Sequence, residues 1–365
     1  MTVDIIIPTY KPDETLCLLL HKLQGQTFVV HRVIILNTEE ALWKQAVAAY
    51  PIEQVLQELP CGYEVIHIAK KDFDHGGTRQ FGAEHSDADV MIFMTQDAVP
   101  ADEFLVEKLV EALETGRESE SKQKLHAEVS VLEQQNMAET EDTAVMEKDI
   151  TVKEYEKGGD TLTTVAVAYA RQLPQKDCHI VEQYTRQFNY PEQSRIKTKA
   201  DIPVLGIKTF FCSDVCAAYR KVLFEELGGF ESPVIFNEDM FFAANAISHG
   251  YGVAYAAEAK VIHSHNYTMR QQFHRNFDLA VSQKQHPEIF EQVSSEAEGM
   301  KLVKSTVAYL VKIRKPWLIF HFGMQCVGKY AGFWMGKHYE KLSSKQILKY
   351  TMSPGYWELV DRDNE

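Results

Sequence analysis

Apolar runs alternate with helical patterns along the first hundred residues. The predicted strands are residues 3–10, 32–37, 64–68 and 90–94. Uninterrupted apolar runs are typical of strands buried on both faces of a parallel sheet. Amphipathic patterns over about 12–24 and 39–50 predict helices between the strands, and a third helix follows a glycine turn. This alternation predicts an α/β, Rossmann-like sheet flanked by helices, which binds ligands beyond the carboxyl ends of its strands.

The alternation is interrupted in the middle of the chain. Residues 111–160 contain fourteen acids, six bases and few aromatic residues, which predicts a solvated insertion over about 114–160. Either a tolerated surface excursion or a partner-binding arm would have this composition. Strands are expected again at residues 164–170, 206–211 and 252–256, with a helix that begins near Asn237 between the last two.

The final part of the chain has a different character. From about residue 274 onward the pattern is helical, aromatic and basic, so we expect an α/β domain over residues 1–272 and a helical region over residues 273–365. The whole chain carries a formal net charge of −14, whereas residues 301–350 contain ten Lys or Arg and one acid. The overall charge argues against a nucleic-acid partner.

The cysteines and the apolar stretches bear on where the protein works. Six cysteines are scattered without a CxxC pair, and Asp4 interrupts the first apolar run, so we expect reduced thiols in a cytoplasmic protein without a signal peptide. The longest uncharged stretch near the C-terminus, residues 316–328, is too short for a membrane-spanning helix, which needs about 20 residues.

Polar side chains follow the predicted strands, where a sheet of this class binds its ligand. Pro8, Thr9 and Tyr10 end the first strand and Asn37 ends the second, and together they could line a base pocket. Directly after the fourth strand comes Thr95-Gln96-Asp97. Asp97 is placed to hold a divalent cation bound to a diphosphate, although it could instead be a capping residue.

The turn after the third strand has the composition of a phosphate site. Gly76 and Gly77 allow close backbone approach at a helix start, where free N–H groups attract phosphate, and Arg79 adds a bidentate donor. A plain tight turn with a surface arginine is the simpler interpretation.

Two adjacent carboxylates lie between apolar residues where a later helix should begin. Asn237 is the expected N-cap, and Glu238 and Asp239 are first-turn acids. Acids favour this position because of the helix dipole, so the pair alone does not establish a function. Beyond the last strand, His265 is the expected metal ligand, with His263 in reserve, because we expect only one imidazole to point into the site. Either could instead be a structural histidine.

Taken in order, these motifs resemble the family 2 glycosyltransferases of GT-A fold, and within that family the bacterial rhamnosyltransferases. The likeness is carried by IIIPTYKP, FDHGGTRQFGAE, DADVMIFMTQDAVPADE, YARQLP, LGIKTFFCSDVCAAYRK, ELGGF, FNEDMFFA, AKVIHSHNYT and FHRNFDLAVSQ. These stretches cover most of residues 1–290 apart from the acidic insertion, and their order is more specific than any one of them. The resemblance implies a mixed sheet and a glycosyltransferase activity.

The family's reaction is implied with the fold. It is an inverting transfer of a sugar, here L-rhamnose from dTDP-β-L-rhamnose, to a hydroxyl of a growing cell-surface or lipid-linked glycan. Mg²⁺ or Mn²⁺ is the implied cofactor. Asp239 would be the general base, and Glu238 would orient the acceptor or support its neighbour. A carboxylate suits this task because a sugar hydroxyl is a poor nucleophile until its proton is taken.

Donor-binding roles are carried over residue by residue. The residues implied to contact the donor are Pro8, Thr9, Tyr10 and Asn37 at the base, Gly76, Gly77 and Arg79 at the diphosphate, and Gln96 and Asp97 in the Asp-x-Asp motif. Thr95 replaces the first aspartate of that motif, which leaves Asp97 to face the metal together with His265. Asn37 stands where relatives commonly carry aspartate.

Other functions remain open at this point. Another nucleotide hexose could be the donor. A sugar-phosphate nucleotidyltransferase would favour a glycine-rich loop after the first strand, where this chain has Pro-Thr-Tyr. A non-catalytic glycan-assembly protein would not need Asp239. In the basic region, Lys312, Arg314 and Lys315 precede a run of aromatic residues, which suits either a helix lying on an anionic membrane surface or ordinary helical packing.

Overall fold

The computed structural model describes residues 1–115, 163–290, 293 and 295–363. All but the first two residues of the predicted acidic insertion, at about 114–160, lie outside these ranges. The helical region begins with a helix at Met269, so the domain boundary expected at 272/273 falls inside that helix. The division into two domains stays a prediction.

Within the described residues, nine strands form one mixed sheet. They are β1 Val3–Tyr10, β2 Arg32–Thr38, β3 Gly62–Ile68, β4 Val90–Met94, β5 Val99–Pro100, β6 Val165–Leu173, β7 Arg195–Lys197, β8 Cys216–Arg220 and β9 Gly252–Ile262. The strand order is β3-β2-β1-β4-β8-β6-β9-β5, and β7 also pairs with β9. Strands β1 to β4 are parallel, whereas β8 runs antiparallel to both β4 and β6.

The first strand shows why an uninterrupted apolar run is needed at the centre of this sheet. Ile5 lies opposite Val33 on one side and Ile92 on the other. Ile5 and Ile7 belong to one hydrophobic cluster and Ile6 belongs to another, and none of the three is exposed. Successive side chains of a strand point to opposite faces, so both faces of β1 are covered.

Helices cover the sheet and form the C-terminal region. They are α1 Glu14–Gln24, α2 Glu40–Ala49, α3 Ile52–Gln57, α4 His75–His85, α5 Leu105–Glu114, α6 Ile180–Asn189, α7 Ile202–Leu205, α8 Lys221–Glu226, α9 Glu238–Ser248, α10 Met269–Gln285, α11 Pro287–Phe290, α12 Ser295–Lys312, α13 Leu318–Lys337, α14 Ser344–Tyr350 and α15 Pro354–Asp363. None of the described helices combines the length and apolar character that crossing a bilayer requires.

One predicted strand is wrong, and three short strands, β5, β7 and β8, were not predicted. Residues 206–211 form a 3₁₀ helix and turn, because the buried Lys197 ammonium binds the carbonyl oxygens of Lys208 and Phe211, which a strand would turn toward its neighbours. Of the three, β8 is central to the sheet; it is short and contains two alanines, which have little strand propensity of their own. β8 is stabilised by its pairing with β4 and β6, which a local sequence pattern cannot predict.

The helix expected near Asn237 is confirmed, but its cap differs from the expectation. Asn237 occupies the N-cap position of α9 with a φ of 72°, in the left-handed region, and its side chain makes no capping hydrogen bond. Its amide donates to the Ser282 hydroxyl on α10 at 3.0 Å instead. The asparagine therefore attaches the start of α9 to the C-terminal region.

A ridge of glycines lies between two C-terminal helices that pack against each other, α10 and α13. Gly328, Gly332 and Gly336 lie on one face of α13, and a Cβ on any of them would overlap α10. At Gly332 and Gly336 the overlap would be with backbone oxygens, those of Phe273 and Phe277. Small residues at every fourth position allow two helix backbones to approach closely. The glycine ridge therefore fixes the rotation of α13 about its axis.

Two glycines of α13 provide a matched test of this packing. We expect Gly332→Ala to lower the free energy of unfolding by about 1–3 kcal/mol, because the new methyl group forces the helices apart. A Cβ on Gly323 would meet nothing within 4 Å. Gly323→Ala should therefore raise stability by about 0.5–1 kcal/mol through helix propensity alone. Urea unfolding followed by circular dichroism measures both changes, and equal effects would contradict the close approach.

Candidate active site

A cavity of about 420 Å³ opens at one edge of the sheet. Asp97 follows β4, Gln172 lies near the end of β6, and His263 and His265 follow β9. Asp214 shortly precedes β8, whose antiparallel direction brings its amino end to the same edge. The first turn of α9 forms another wall. The antiparallel direction of β8 therefore brings the Asp214 side chain to a sheet edge that is otherwise formed by the C-terminal ends of strands.

Arg79 lies among carboxylates at the base of this cavity. Its Nη1 is 2.9 Å from a Glu238 oxygen, and its Nε is 3.3 Å from Asp214 Oδ2. Only 7% of Arg79 is exposed. The sequence assigned this guanidinium to a diphosphate, but two carboxylates already engage it. Its phosphate contact stays a prediction, and its evident task is to neutralise the carboxylates of α9 and the loop before β8.

Asp239 is held in place by backbone groups. The Asp214 N–H donates to one of its oxygens at 3.0 Å, and the Met240 N–H donates to the other at 2.7 Å. Burial, followed by the neighbouring Glu238 charge, raises the pKa of Asp239 to about 7. A carboxylate with a pKa near the working pH is well suited to accept a proton. The geometry thus supports the general-base role that the sequence assigned to Asp239.

Asp214 was missed by the sequence analysis. Burial raises its pKa well above the ordinary value, although Arg79 opposes this, and the Tyr219 hydroxyl donates to it at 2.5 Å. The only signal in the sequence was an acid in the stretch FFCSDVC, and nothing there placed it beside Arg79. The contact depends on β8, which no local pattern indicated.

Asp97, His263 and His265 form a group with metal-ligand spacing. Asp97 Oδ2 lies 3.4 Å from His265 Nε2 and 3.6 Å from His263 Nε2. Burial lowers the pKa of His263 to about 3 and also lowers that of His265, so both imidazoles are neutral near pH 7. Neutral imidazole is the form that ligates a metal. The expectation that only one histidine points into the site is therefore wrong, since both reach Asp97.

The surrounding residues fit a metal site. Gln172 Oε1 is 3.1 Å from His263 Nδ1, which leaves Nε2 free to face Asp97, and the Gln172 amide donates to Ser213 at 2.9 Å. Such outer contacts orient metal-ligating histidines. One carboxylate and two imidazoles suit Mn²⁺ better than Mg²⁺, which prefers oxygen ligands. The donor set therefore fits a divalent transition-metal ion.

The glycine turn differs from the expectation. A Cβ on Gly76 would overlap the Glu231 carbonyl oxygen, and a Cβ on Gly77 would overlap the side chains of Asp74 and Ser232. The Asp74 carboxylate accepts from the Gly77 N–H at 2.9 Å. The group that approaches these glycines closely is thus the protein's own chain, at Glu231 and Ser232. The Asp74 carboxylate caps the start of α4, which was expected to attract phosphate.

The residues expected at the nucleobase lie together at the carboxyl ends of β1 and β2, outside the lining of this cavity. Thr9 Oγ1 is 3.4 Å from Asn37 Oδ1, and Asn37 Nδ2 is 3.0 Å from His67 Nδ1. Gln96 bonds both the N–H and the carbonyl of Tyr10, at 2.9 and 3.1 Å. Tyr10 is 40% exposed, and Pro8 is half-buried. Because Gln96 precedes Asp97, this polar group adjoins the predicted metal ligand.

Two further cations line the cavity from the C-terminal helices. Arg275 on α10 lies with its Cζ 4.6 Å from the Phe236 ring centre, and Lys329 on α13 faces the same space. Neither makes an ion pair with a described residue. Burial lowers the pKa of Lys329. The sequence analysis named neither residue, although Arg275 lies in the stretch FHRNFDLAVSQ and Lys329 lies in the basic C-terminal region.

The mixed sheet flanked by helices indicates a GT-A fold, and the matches below identify the class of protein as a glycosyltransferase. The profile described as "Glycosyl transferase family 2" matches residues 4–136. The O-antigen chain rhamnosyltransferase RfbN of Salmonella typhimurium is 34% identical over 365 residues, covering 99% of this chain and 97% of the relative. The chain therefore belongs to family 2 of the glycosyltransferases, and it resembles the bacterial rhamnosyltransferases within that family.

Two other proteins are consistent with this assignment. The O-antigen chain rhamnosyltransferase WbaN of Salmonella anatum is 34% identical over 298 residues, which are 81% of this chain and 79% of the relative. The crystal structure of S. aureus TarS 1–349 aligns over 100% of this chain and 92% of that one, with a TM-score of 0.50 and 11% sequence identity. The structural likeness shows the fold alone.

Removal of the Arg79 charge tests the buried ion pairs. We expect Arg79→Met to lower the free energy of unfolding by about 3–5 kcal/mol, because Asp214 and Glu238 lose their cation. Loss of that cation also raises the pKa of Asp239 further. Since a carboxyl with a raised folded-state pKa costs stability as pH rises, the destabilisation should be smaller at acidic than at neutral pH.

A surface arginine is the control for this variant. Arg195 pairs with Asp201 while 45% of its side chain is exposed. Arg195→Met should cost no more than about 1 kcal/mol. Urea unfolding across a pH series measures both variants, and an Arg79→Met protein as stable as the Arg195→Met protein would show that the buried pairs do not hold the site.

Proposed function

We propose that the protein transfers L-rhamnose from dTDP-β-L-rhamnose to a hydroxyl of a growing cell-surface polysaccharide or lipid-linked glycan, with inversion at the anomeric carbon. The observation that carries this proposal is the Asp239 carboxylate, which faces one cavity with the Asp97 and histidine group. The O-antigen rhamnosyltransferases named above support the choice of sugar and acceptor, because one of them matches almost the whole chain.

Asp239 acts as the general base. In its ionised form it takes the proton of the acceptor hydroxyl, while that oxygen attacks the anomeric carbon from the face opposite the nucleotide. The bond from the anomeric carbon to the diphosphate oxygen breaks in the same displacement, so one attack produces one inversion. The two backbone N–H donors hold the carboxylate oxygens in place, which preorganises the base.

Glu238 has a positioning role. Its carboxylate is 2.9 Å from Arg79 Nη1, so it is engaged inward and does not compete with Asp239 for the acceptor proton. Its charge also helps to raise the pKa of Asp239. We assign Glu238 to support of its neighbour, the second of the two roles that the family resemblance implied.

The leaving diphosphate gathers negative charge that the protein must stabilise. Arg275 and Lys329 are the cavity cations without a carboxylate partner among the described residues, so they are better placed for this task than Arg79. Asp97, His263 and His265 would hold the divalent ion, which supplies Lewis-acid stabilisation of the diphosphate oxygens when bound. Pro8, Thr9, Tyr10, Asn37 and Gln96 would border the base and ribose.

The acceptor determines where the enzyme works. A lipid-linked glycan would be presented at the inner face of the plasma membrane, so we assign the protein to the cytoplasmic side, peripherally attached through the basic C-terminal region. The supporting observation is the excess of bases in residues 301–350.

Asp239→Asn tests the catalytic assignment. We expect turnover to fall by about 10²–10⁴-fold, because the amide cannot accept the hydroxyl proton, while donor affinity stays close to that of the parent protein. The parent's kcat/KM should rise with pH through about 7 and then level, since Asp239 must lose its proton to act. Steady-state kinetics across pH measure both effects. Unchanged turnover in the variant would favour a non-catalytic assembly role.

A donor panel tests the sugar and the metal. Purified protein is offered dTDP-L-rhamnose, UDP-hexoses and GDP-mannose, each with Mn²⁺, with Mg²⁺ and with a chelator, and donor binding and slow donor hydrolysis are measured. We expect preference for dTDP-L-rhamnose and stronger support by Mn²⁺ than by Mg²⁺. Preference for a uridine-linked hexose would overturn the rhamnose assignment and leave the reaction class standing.

A further inference from the structure

Helix α13 presents an unusual face to solvent. Five apolar or aromatic side chains, Phe320, Met324, Val327, Tyr330 and Trp334, are between 42% and 79% exposed. Trp317, which precedes the helix, is 66% exposed. We call these six residues the aromatic stripe. Their spacing of three or four residues places them along one side of the helix.

The glycine ridge explains why this side faces outward. At about 100° per residue, the mean direction of Gly328, Gly332 and Gly336 lies about 140–160° around α13 from Val327 and Trp334. Since the ridge is packed against α10, the helix cannot turn to bury the stripe without driving side chains into the α10 backbone. The exposure is therefore built into the packing of the two helices.

The surroundings of the stripe are basic. Lys312, which ends α12, and Arg314, in the turn before α13, are exposed and make no ion pair with a described residue. Residues 301–350 contain ten bases and one acid. Tryptophan and tyrosine favour the boundary between water and lipid, and lysine and arginine are attracted to anionic head groups. A second copy of the chain, docked face to face, would instead bring the basic regions together.

A second cavity lies beside the active-site cavity and is lined in part by α13. This side cavity, of about 470 Å³, is lined on α13 by Leu318, His321, Gln325 and Lys329. It shares Lys329, His265 and Tyr267 with the active-site cavity. The two cavities therefore adjoin each other beside α13.

We propose that the aromatic stripe of α13 lies in the surface of an anionic bilayer, and that a lipid-linked acceptor passes from that surface through the side cavity to the active site. This proposal rests on the proposed function for its acceptor. The stripe inserts only to the depth of the head groups, and Lys312 and Arg314 contact anionic phosphates. The protein is attached at a surface and does not span the membrane.

Vesicle binding tests the surface directly. The full-length protein is sedimented with phosphatidylcholine vesicles that contain or lack phosphatidylglycerol, at low and high salt. We expect binding that requires the anionic lipid and weakens with salt. The double variant Phe320→Glu/Tyr330→Glu should lower the partition coefficient by at least about tenfold, because two inserted rings are replaced by charges. Parent protein that stays in the supernatant at low salt would overturn the proposal.

A matched control separates insertion from general charge effects. Val204 and Val222 are 81% and 73% exposed and lie outside the C-terminal region. Val204→Glu/Val222→Glu adds the same charge, so vesicle binding should remain within about twofold of the parent. Equal losses in both double variants would overturn the assignment to α13. Light scattering without vesicles tests whether a second copy of the chain covers the stripe instead. A parent dimer that is lost only in the α13 double variant, together with no vesicle binding by the parent, would also overturn the proposal.

Activity with two acceptors distinguishes this proposal from the proposed function. The α13 double variant should keep the parent's turnover with a water-soluble acceptor fragment and lose at least about tenfold with a lipid-linked acceptor in vesicles. Parent protein inactive on both acceptors would refute the transferase function, whatever the vesicle result. Full activity of the variant on the vesicle-bound acceptor would refute the route through α13 alone.

Discussion

The placement of one buried cation among three carboxylates is the constraint on which the site depends. Asp214, Glu238 and Asp239 converge at the sheet edge, and Arg79 pairs with the first two. Without that guanidinium the buried carboxylates of Asp214 and Glu238 would have no cation beside them. With it, the pKa of Asp239 stays near 7, which suits a base for a sugar hydroxyl. The pKa of Asp239 and the stability of this edge therefore depend on the same guanidinium.

Much of the architecture could be predicted because it is local. The strands at residues 3–10, 32–37 and 90–94 are apolar on both faces, and the start of α9 is marked by Asn237 followed by two acids. The features that were missed are tertiary. β8 is short and rich in alanine, Asp214 depends on β8, and Arg275 and Lys329 enter the cavity from helices more than a hundred residues after Asp97.

The surroundings of the glycine turn and of Arg79 differ from the expectation for a common physical reason. Glycines, an arginine and a helix start were attributed to a ligand, but Gly76, Gly77 and Arg79 are occupied by the 231–234 segment and by carboxylates of the chain itself. A sequence pattern can identify groups that bind oxygen atoms, but it does not reveal whether those atoms belong to a phosphate or to the protein. The residue types indicated correctly that oxygen atoms would be bound here. Only the folded structure shows that Glu231, Asp214 and Glu238 supply them.

The glycine ridge of α13 also limits how this chain can diverge. Gly328 adjoins Lys329, and the same close crossing that excludes a side chain at three positions sets where that lysine enters the cavity. A descendant that replaced one of these glycines would have to shift the whole helix and with it a wall of the active site. The close crossing of α10 and α13 thus limits which amino acid substitutions the C-terminal region tolerates, even far from the cavity. Three glycines at intervals of four residues would remain a readable sign of this crossing in relatives too distant to align by their catalytic motifs.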